Sequence, residues 1–267
     1  FWSWRLCDMS KEVGRCAQAM GSREATGGYD PSGIDLDAWT ILEAQLEATI
    51  PNYDRVNKLM TFGQDKRWRR NVRNHAEPGM KVLEVGCGPG SFAEDLVGLE
   101  VTCLDPSPEM LKVAKKRVDS ARAARGESPA DYVEAIAEAI PLPDDTYDVV
   151  FCLFSFRDFQ DKRKGLEEIY RVLKPGGRLV ICDAGKANWL HGFAGRIWMA
   201  TVVQWIARYV TKDKNHPWKG LANTYSHYGT NGYYRAMIKD VGYEGVQGRL
   251  LLPFAMASRF RATKPEQ

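Results

Sequence analysis

The chain has 267 residues, with 37 Lys plus Arg against 34 Asp plus Glu and a formal net charge of +3. That length holds one α/β domain of ordinary size plus an added segment, and the near balance of charge removes any demand for nucleic acid as a partner. No run of about 18 uncharged apolar residues argues for a spanning helix, and the six cysteines, at 7, 16, 87, 103, 152 and 182, form no metal-ligand spacing and read as buried free thiols of a reducing, cytoplasmic compartment.

The first residues, Phe1-Trp2-Ser3-Trp4-Arg5, carry neither an initiator Met nor a signal-peptide pattern, so the sequence reads as beginning inside a longer chain. Residues 1–50 read as an extension. A loop rich in Gly, Ser and Pro covers 19–33, and a short helix covers 36–48, where Leu36, Trp39, Leu42 and Leu46 recur at helical spacing. Residues 51–267 read as the main domain, opening with a helical region over 53–74 that is apolar first and basic later. Strands predicted near 80–85, 101–105, 131–135, 148–154 and 178–183 alternate with helices near 91–98, 108–125 and 161–173. That alternation builds a doubly wound, mostly parallel α/β sheet. Lys174-Pro175-Gly176-Gly177 stops the third of these helices before the fifth strand. After a helix near 231–241, strands near 243–251 and 254–263 stand too close for a crossover, so they should pair antiparallel and bring the sheet to seven strands.

The run Val82-Leu83-Glu84-Val85-Gly86-Cys87-Gly88-Pro89-Gly90 carries the most chemistry. Its glycines let the backbone turn sharply and come close to a ligand. A helix opening near Ser91 would offer free N–H groups to a carboxylate or phosphate. Glu84, two positions before the first glycine, would repel a pyrophosphate but pair with an ammonium, and Ser91 stands where a dinucleotide fingerprint wants its third glycine. S-adenosylmethionine (AdoMet), whose amino-acid end carries both charges, fits better than NAD. Asp105, closing the second strand 21 positions after Glu84, is placed for the two ribose hydroxyls. An N-cap role before Pro108 is compatible with that, though Ser107 caps equally well. Met110 is a candidate adenine contact, with core packing as the alternative.

Residues 187–228 interrupt the α/β pattern. Leu190, Phe193, Ile197, Trp198, Val202, Trp205, Ile206 and Tyr209 form one broad helical face, with Arg196, Arg208, Lys212 and Lys214 as cations. The insert reads either as a core helix under a lid or as a lipid- or quinone-facing helix that touches a membrane through 189–210.

With these motifs in place, the chain resembles the class I AdoMet-dependent methyltransferases, and within them the ubiquinone/menaquinone-biosynthesis C-methyltransferases, over roughly residues 50–263. Three stretches carry the likeness: Tyr53-Asp54-Arg55-Val56-Asn57-Lys58-Leu59-Met60-Thr61-Phe62-Gly63 running on to Trp68, the glycine loop with Asp105, and Arg171-Val172-Leu173-Lys174-Pro175-Gly176-Gly177-Arg178-Leu179. The first is the most particular to the quinone group. The resemblance implies that Glu84, Gly86 and Gly88 hold the methionine end, Asp105 the ribose and the Ala137 backbone the adenine edge. Ile136 replaces the Asp or Asn that usually accepts from the adenine amino group. In Phe154-Ser155-Phe156-Arg157-Asp158, Arg157 matches the catalytic arginine and Asp158 replaces an Asn; Tyr225 and His227 fall where family members contact substrate.

Ring C-methylation of a quinol needs a phenolic proton removed, and a free phenol holds it to a pKa of about 10. A fixed guanidinium stabilises the phenolate, and Asp158 can assist as general base. Tyr53 would face the acceptor or simply pack; Arg157 would serve the acceptor or simply pair with Asp158 or Asp161; His227 would touch substrate or be structural. The expected cofactor is AdoMet, with no metal, and the expected partners are an apolar, lipid-like acceptor and a second copy in a homodimer. The alternatives are methylation of another lipid or small molecule, or a non-catalytic AdoMet-binding scaffold.

Overall fold

A computed structural model describes residues 29–251 and 257–266. Cys7, Cys16, most of the 19–33 loop and the first residues of the expected last strand lie outside the described residues. The described chain enters through a small hairpin, β1 (Tyr29–Asp30) and β2 (Gly33–Ile34), then helices α1 (Leu36–Thr49), α2 (Tyr53–Met60) and α3 (Asp65–Arg73). The domain continues as β3 (Lys81–Val85), β4 (Glu100–Asp105), α4 (Pro108–Ala123), β5 (Asp131–Glu134), β6 (Tyr147–Leu153), α5 (Lys162–Val172) and β7 (Leu173–Ala184). Three helices of the insert follow, α6 (Trp189–Ala200), α7 (Val202–Thr211) and α8 (Lys219–His227), before α9 (Asn231–Asp240), β8 (Glu244–Leu251) and β9 (Ala257–Thr263).

Seven strands form one sheet in the order β5-β4-β3-β6-β7-β9-β8. The first five are parallel, and β9 slots antiparallel between β7 and β8, the doubly wound arrangement expected. The central strands read as continuous apolar runs because both faces are covered. Along β6, Val149, Phe151 and Leu153 bury on one face with Phe92 and Val118, while Val150 and Cys152 bury on the other with Leu166 and Ile169. Cys87, Cys103, Cys152 and Cys182 are free and buried.

Two expectations are corrected. The helix expected over 91–98 is a single 3₁₀ turn, Ala93–Asp95. Gly98 takes φ +72, and its carbonyl accepts from Gly79 N at 2.7 Å, so the segment turns back toward β4 before a helix can complete. The glycine loop therefore has no helix behind it, and its own N–H groups are engaged within the fold: Gly86 and Cys87 donate to Leu104 O, Gly88 to Asp105 and Gly90 to Cys87 O. The broad face of the insert is also divided. Thr201, at φ −119 and ψ −72, ends α6; its hydroxyl donates to Ile197 O at 2.6 Å, and two β-branched valines follow. Beyond that break, Val203, Ile206, Ala207 and Val210 pack with Val56 and Trp218, while Trp205 and Tyr209 stay exposed.

Candidate active site

The chain leaves β3 toward β4 and β5 on one side of the sheet, whereas β6 and β7 lie on the other. Crevices outside the strand ends at such a switch point are where doubly wound folds bind ligands. A cleft opens there, lined by Gly86, Gly88, Asp105, Met110, Ile136 and Ala137 among others. Five of the six residues expected to hold the cofactor thus meet in one place. The sixth, Glu84, does not line the cleft; it is 2% exposed, next to the loop.

Gly86 has φ +71, and a Cβ there would stand 2.3 Å from Ser155 Cβ. Ser155 cannot yield freely, because its hydroxyl donates to Val85 O at 2.6 Å and ties the end of β6 to the end of β3. Asp105 accepts from Gly88 N at 2.7 Å and from Ser107 N at 3.1 Å, while Ser107 Oγ caps α4 by accepting from Met110 N at 3.1 Å. The capping role therefore belongs to Ser107. Burial pushes the Asp105 carboxyl up to about 6 despite the two N–H bonds, with Glu43 and Glu47 adding repulsion. Glu84 is held well above the ordinary carboxylate range by burial, against the pull of Arg69, and its Oε2 has no hydrogen-bond partner among the described residues.

These are the marks of a pocket shaped for a ligand that brings a cation and hydroxyl donors. An ammonium reaching past the loop would satisfy the open Oε2 of Glu84, whose carboxyl otherwise accepts from the Ala93 backbone. A diol can donate to the remaining lone pairs of Asp105, and the missing Cβ at Gly88, with nothing within 4 Å, leaves room for backbone approach. The residues present fit AdoMet.

Beside the cleft lies a second cavity, lined by Leu42, Met60, Trp218 and Leu221 with Asn57 and Arg69. Leu46, Tyr53, Phe154, Arg157 and Asp158 line both spaces and form the wall between them. All three residues expected to act in chemistry stand in that wall. Helix α1 closes both spaces with adjacent stripes at i, i+3/i+4, i+7 spacing: Trp39, Glu43 and Leu46 face the cleft, and Leu42, Gln45 and Thr49 face the second cavity. Asp35 caps α1 by accepting from Ala38 N at 3.0 Å.

The motif around Tyr53 works through its neighbour. Asp54 accepts from Ser91 Oγ at 2.7 Å and pairs with Arg117 at 2.7 Å, and Arg69 donates to Ser91 O at 2.8 Å. Helices α2 and α3 are thereby pinned to the glycine loop, and Tyr53 is set between the cavities. Burial raises the Tyr53 hydroxyl above 10, opposed by Arg69 and Arg157.

At the end of β6, Phe154 adopts φ +59, an unusual conformation for a bulky residue. A 3₁₀ turn, Phe156–Asp158, follows and carries the catalytic candidates. Arg157 Nη1 lies 2.8 Å from Asp183 Oδ1, its backbone N–H donates to Asp183 Oδ2 at 2.9 Å, and its Nε sits 3.5 Å from Asp158 Oδ1. Burial alone would lower the Arg157 pKa, but Asp158, Asp183 and Tyr53 hold it charged. Asp158 is pushed up to about 6 by burial and by Asp183, against Arg157. Lys162, 2% exposed, is lowered to about 8 by burial. Asp161 does not pair with Arg157; it caps α5, accepting from Lys164 N at 3.0 Å.

Tyr225 and His227 line neither cavity. The Tyr225 hydroxyl donates to Gly185 O at 3.2 Å, and the His227 ring stacks on Tyr29 at 5.8 Å. Asp183, Lys162, Glu138 and the place of α1 over the two cavities were not singled out from sequence. Asp183 ends a buried strand 26 positions from Arg157, and no local spacing joins the two. Glu138 lines the cleft and accepts from Asp161 N at 2.9 Å, so it braces the loop before α5.

The ubiE/COQ5 methyltransferase family model matches residues 42–262. Demethylmenaquinone methyltransferase of Thermus thermophilus is 40% identical over 139 residues, half of this chain and 61% of that protein. The Renibacterium salmoninarum protein of the same name is 37% identical over 144 residues, and the match spans 57% of its length. The ubiquinone/menaquinone biosynthesis C-methyltransferase UbiE of Shewanella oneidensis is 31% identical over 236 residues, 84% of this chain and 91% of that protein. Among solved structures, an Aquifex aeolicus SAM-dependent methyltransferase superposes with a TM-score of 0.52 at 23% identity, covering 73% of this chain and 89% of its own. Phosphoethanolamine N-methyltransferase 2 of Haemonchus contortus, solved with S-adenosyl-L-methionine, gives 0.54 at 19% identity over 74% of this chain and 52% of its own. Those two likenesses show the shared fold; the family match covers the glycine loop, the wall between the cavities and all of their lining except Trp39, and the chain belongs to the ubiE/COQ5 methyltransferase family.

Proposed function

We propose that this chain transfers a methyl group from AdoMet to a ring carbon of a prenylated quinol. The observation that carries the reading is the shared wall: Tyr53, Phe154, Arg157 and Asp158 border both the cofactor-shaped cleft and a largely apolar second cavity. Bound AdoMet supplies an electrophilic methyl. Glu84 and the Gly86–Gly88 backbone hold its amino-acid end, and Asp105 its ribose. The acceptor occupies the second cavity, its ring against Tyr53 and Phe154 and its apolar portion against Leu42, Met60, Trp218 and Leu221. Arg157, held charged by two carboxylates, offers a positive field to a developing phenolate. Asp158, ionised above about pH 6, accepts the phenolic proton directly or through water; once the ring carbon has taken the methyl, its C–H proton leaves, the ring regains aromaticity and the oxygen is reprotonated. Helix α1 covers both spaces and keeps water from the transfer. The names of the Thermus and Shewanella relatives agree with a quinone-type acceptor.

The test is methyl transfer by the purified chain from AdoMet to demethylmenaquinol and several other quinols, followed by mass spectrometry. Absence of product with every quinol refutes the reading. Arg157→Lys, which keeps the charge but loses the fork held by Asp183, should lower kcat about a hundredfold while AdoMet affinity stays within about twofold.

A further inference from the structure

Helix α6 is built with its large apolar residues outward. Trp189 is 80% exposed, Leu190 59%, Phe193 55% and Ile197 50%. At 100° per residue these four fall within about a third of the helix circumference, and Arg196 falls at its edge. The packed side carries glycines instead. Gly192 is buried beside Lys186, and a Cβ on Gly195 would meet the Tyr225 hydroxyl at 2.0 Å, so the small residues let α6 lie tight on α8. A helix facing water places its polar residues where α6 places Trp, Leu, Phe and Ile.

Along the chain that builds this face the charge has one sign. Residues 185–212 contain Lys186, Arg196, Arg208 and Lys212 and not one Asp or Glu. Among the described residues, neither Arg196 nor Arg208 forms an ion pair. Lys186 and Arg196 share an open groove with Trp189 and Phe193, directly beside the apolar face. Lys186, 7% exposed, donates to the carbonyls of Ser226 and Tyr228, and burial together with Arg196 lowers it to about 8. An anion in that groove would relieve the repulsion. Trp at a polar–apolar boundary with flanking cations is the chemistry of a helix lying in a membrane interface, and no described helix is long and apolar enough to cross a membrane.

We propose that the outward face of α6, Trp189, Leu190, Phe193 and Ile197, lies in the interface of an anionic membrane leaflet, with Arg196 receiving lipid phosphate in the adjoining groove and the buried Lys186 adding positive field from beneath. This goes beyond the catalytic reading: it concerns a surface outside both cavities.

The test is co-sedimentation of the full chain with vesicles of phosphatidylcholine alone and with phosphatidylglycerol added, without AdoMet or quinol. The chain should bind the anionic vesicles and bind less as salt rises. Trp189→Ser combined with Phe193→Ser should weaken that binding about tenfold or more. Arg196→Glu, which leaves the apolar face whole, should weaken it for anionic vesicles and flatten its salt dependence. Failure of the parent chain to bind anionic vesicles overturns the proposal, and so does parental binding by both the double variant and Arg196→Glu. A double variant that turns a dimeric chain monomeric, with vesicles ignored throughout, overturns it in favour of an interface between copies. A chain that binds vesicles but methylates no quinol leaves this surface standing and removes only the acceptor assignment.

Discussion

Asp183→Asn tests the arrangement that holds Arg157. Asp183 is 0% exposed and accepts three donors: Arg157 Nη1 at 2.8 Å and Ala184 N at 2.6 Å on Oδ1, and Arg157 N at 2.9 Å on Oδ2. An amide has one oxygen. If it takes the place of Oδ1, its NH₂ faces the Arg157 N–H; if it takes the place of Oδ2, its NH₂ faces both the guanidinium and the Ala184 N–H. Either orientation puts donor against donor, and the charge opposite Arg157 is lost. Removing one partner of a buried pair costs about 3–5 kcal/mol. Arg157 retains Asp158 at 3.5 Å, which places the expected loss near the lower end, about 3 kcal/mol. That is a large share of the roughly 5–15 kcal/mol that domains possess. Urea unfolding reads it as a lower midpoint with an unchanged slope. Because Asp183 lines neither cavity, AdoMet affinity by calorimetry should stay within about twofold, whereas kcat should fall at least about tenfold through misplacement of the guanidinium. A stability loss below about 1 kcal/mol, or an unchanged kcat, would refute the reasoning.

Three further outcomes are expected. Gly86→Ala forces a side chain into φ +71 and against Ser155, so it should lose at least about 2 kcal/mol of stability; Gly88→Ala, strained at φ +52 but with open space around its Cβ, should lose only about 1 kcal/mol and bind AdoMet more weakly. Thermal melting and calorimetry on the pair separate the two effects. Burial holds the Asp158 carboxyl near 6 against an ordinary 3.8, so the folded chain binds that proton more tightly than the unfolded chain, and stability falls as pH climbs through that window. Asp158→Asn should therefore gain on the parent between about pH 4 and pH 6 and hold a constant margin above; a margin independent of pH in urea titrations would contradict the shift. Asp54→Ala should cost only about 1 kcal/mol, because the Arg117 pair is half-exposed, yet should lower kcat by loosening Tyr53.

Elements whose chemistry is local were legible in the sequence. Lys81–Val85 is a buried strand because five successive residues suit a doubly covered sheet, and Gly86 and Asp105 follow from their places at strand ends. The 91–98 segment misled because its apolar spacing suits a helix, while Gly98 redirects the backbone. The insert misled because one hydrophobic pattern serves two surfaces, split at Thr201. Asp183 was invisible for a different reason: an acid at the end of an apolar strand shows no partner until β6 and β7 are laid side by side. The role of α1 is of the same kind, since its two stripes differ only in which cavity lies beneath.

The two cavities are walled by parts under different structural constraint. The cleft is made from the ends of β3, β4 and β6, where Gly86, Ser155 and Val85 leave no slack. Much of the second cavity is made from Leu42, Gln45 and Thr49 of α1 and from Leu221 and Thr224 of α8, helices that the sheet does not need in order to close. Substitutions on those two helices can widen, narrow or repolarise the acceptor space without touching the loop that holds the cofactor. Acceptor preference in this chain is therefore free to evolve, or to be engineered, one helix stripe at a time against an unchanged methyl donor.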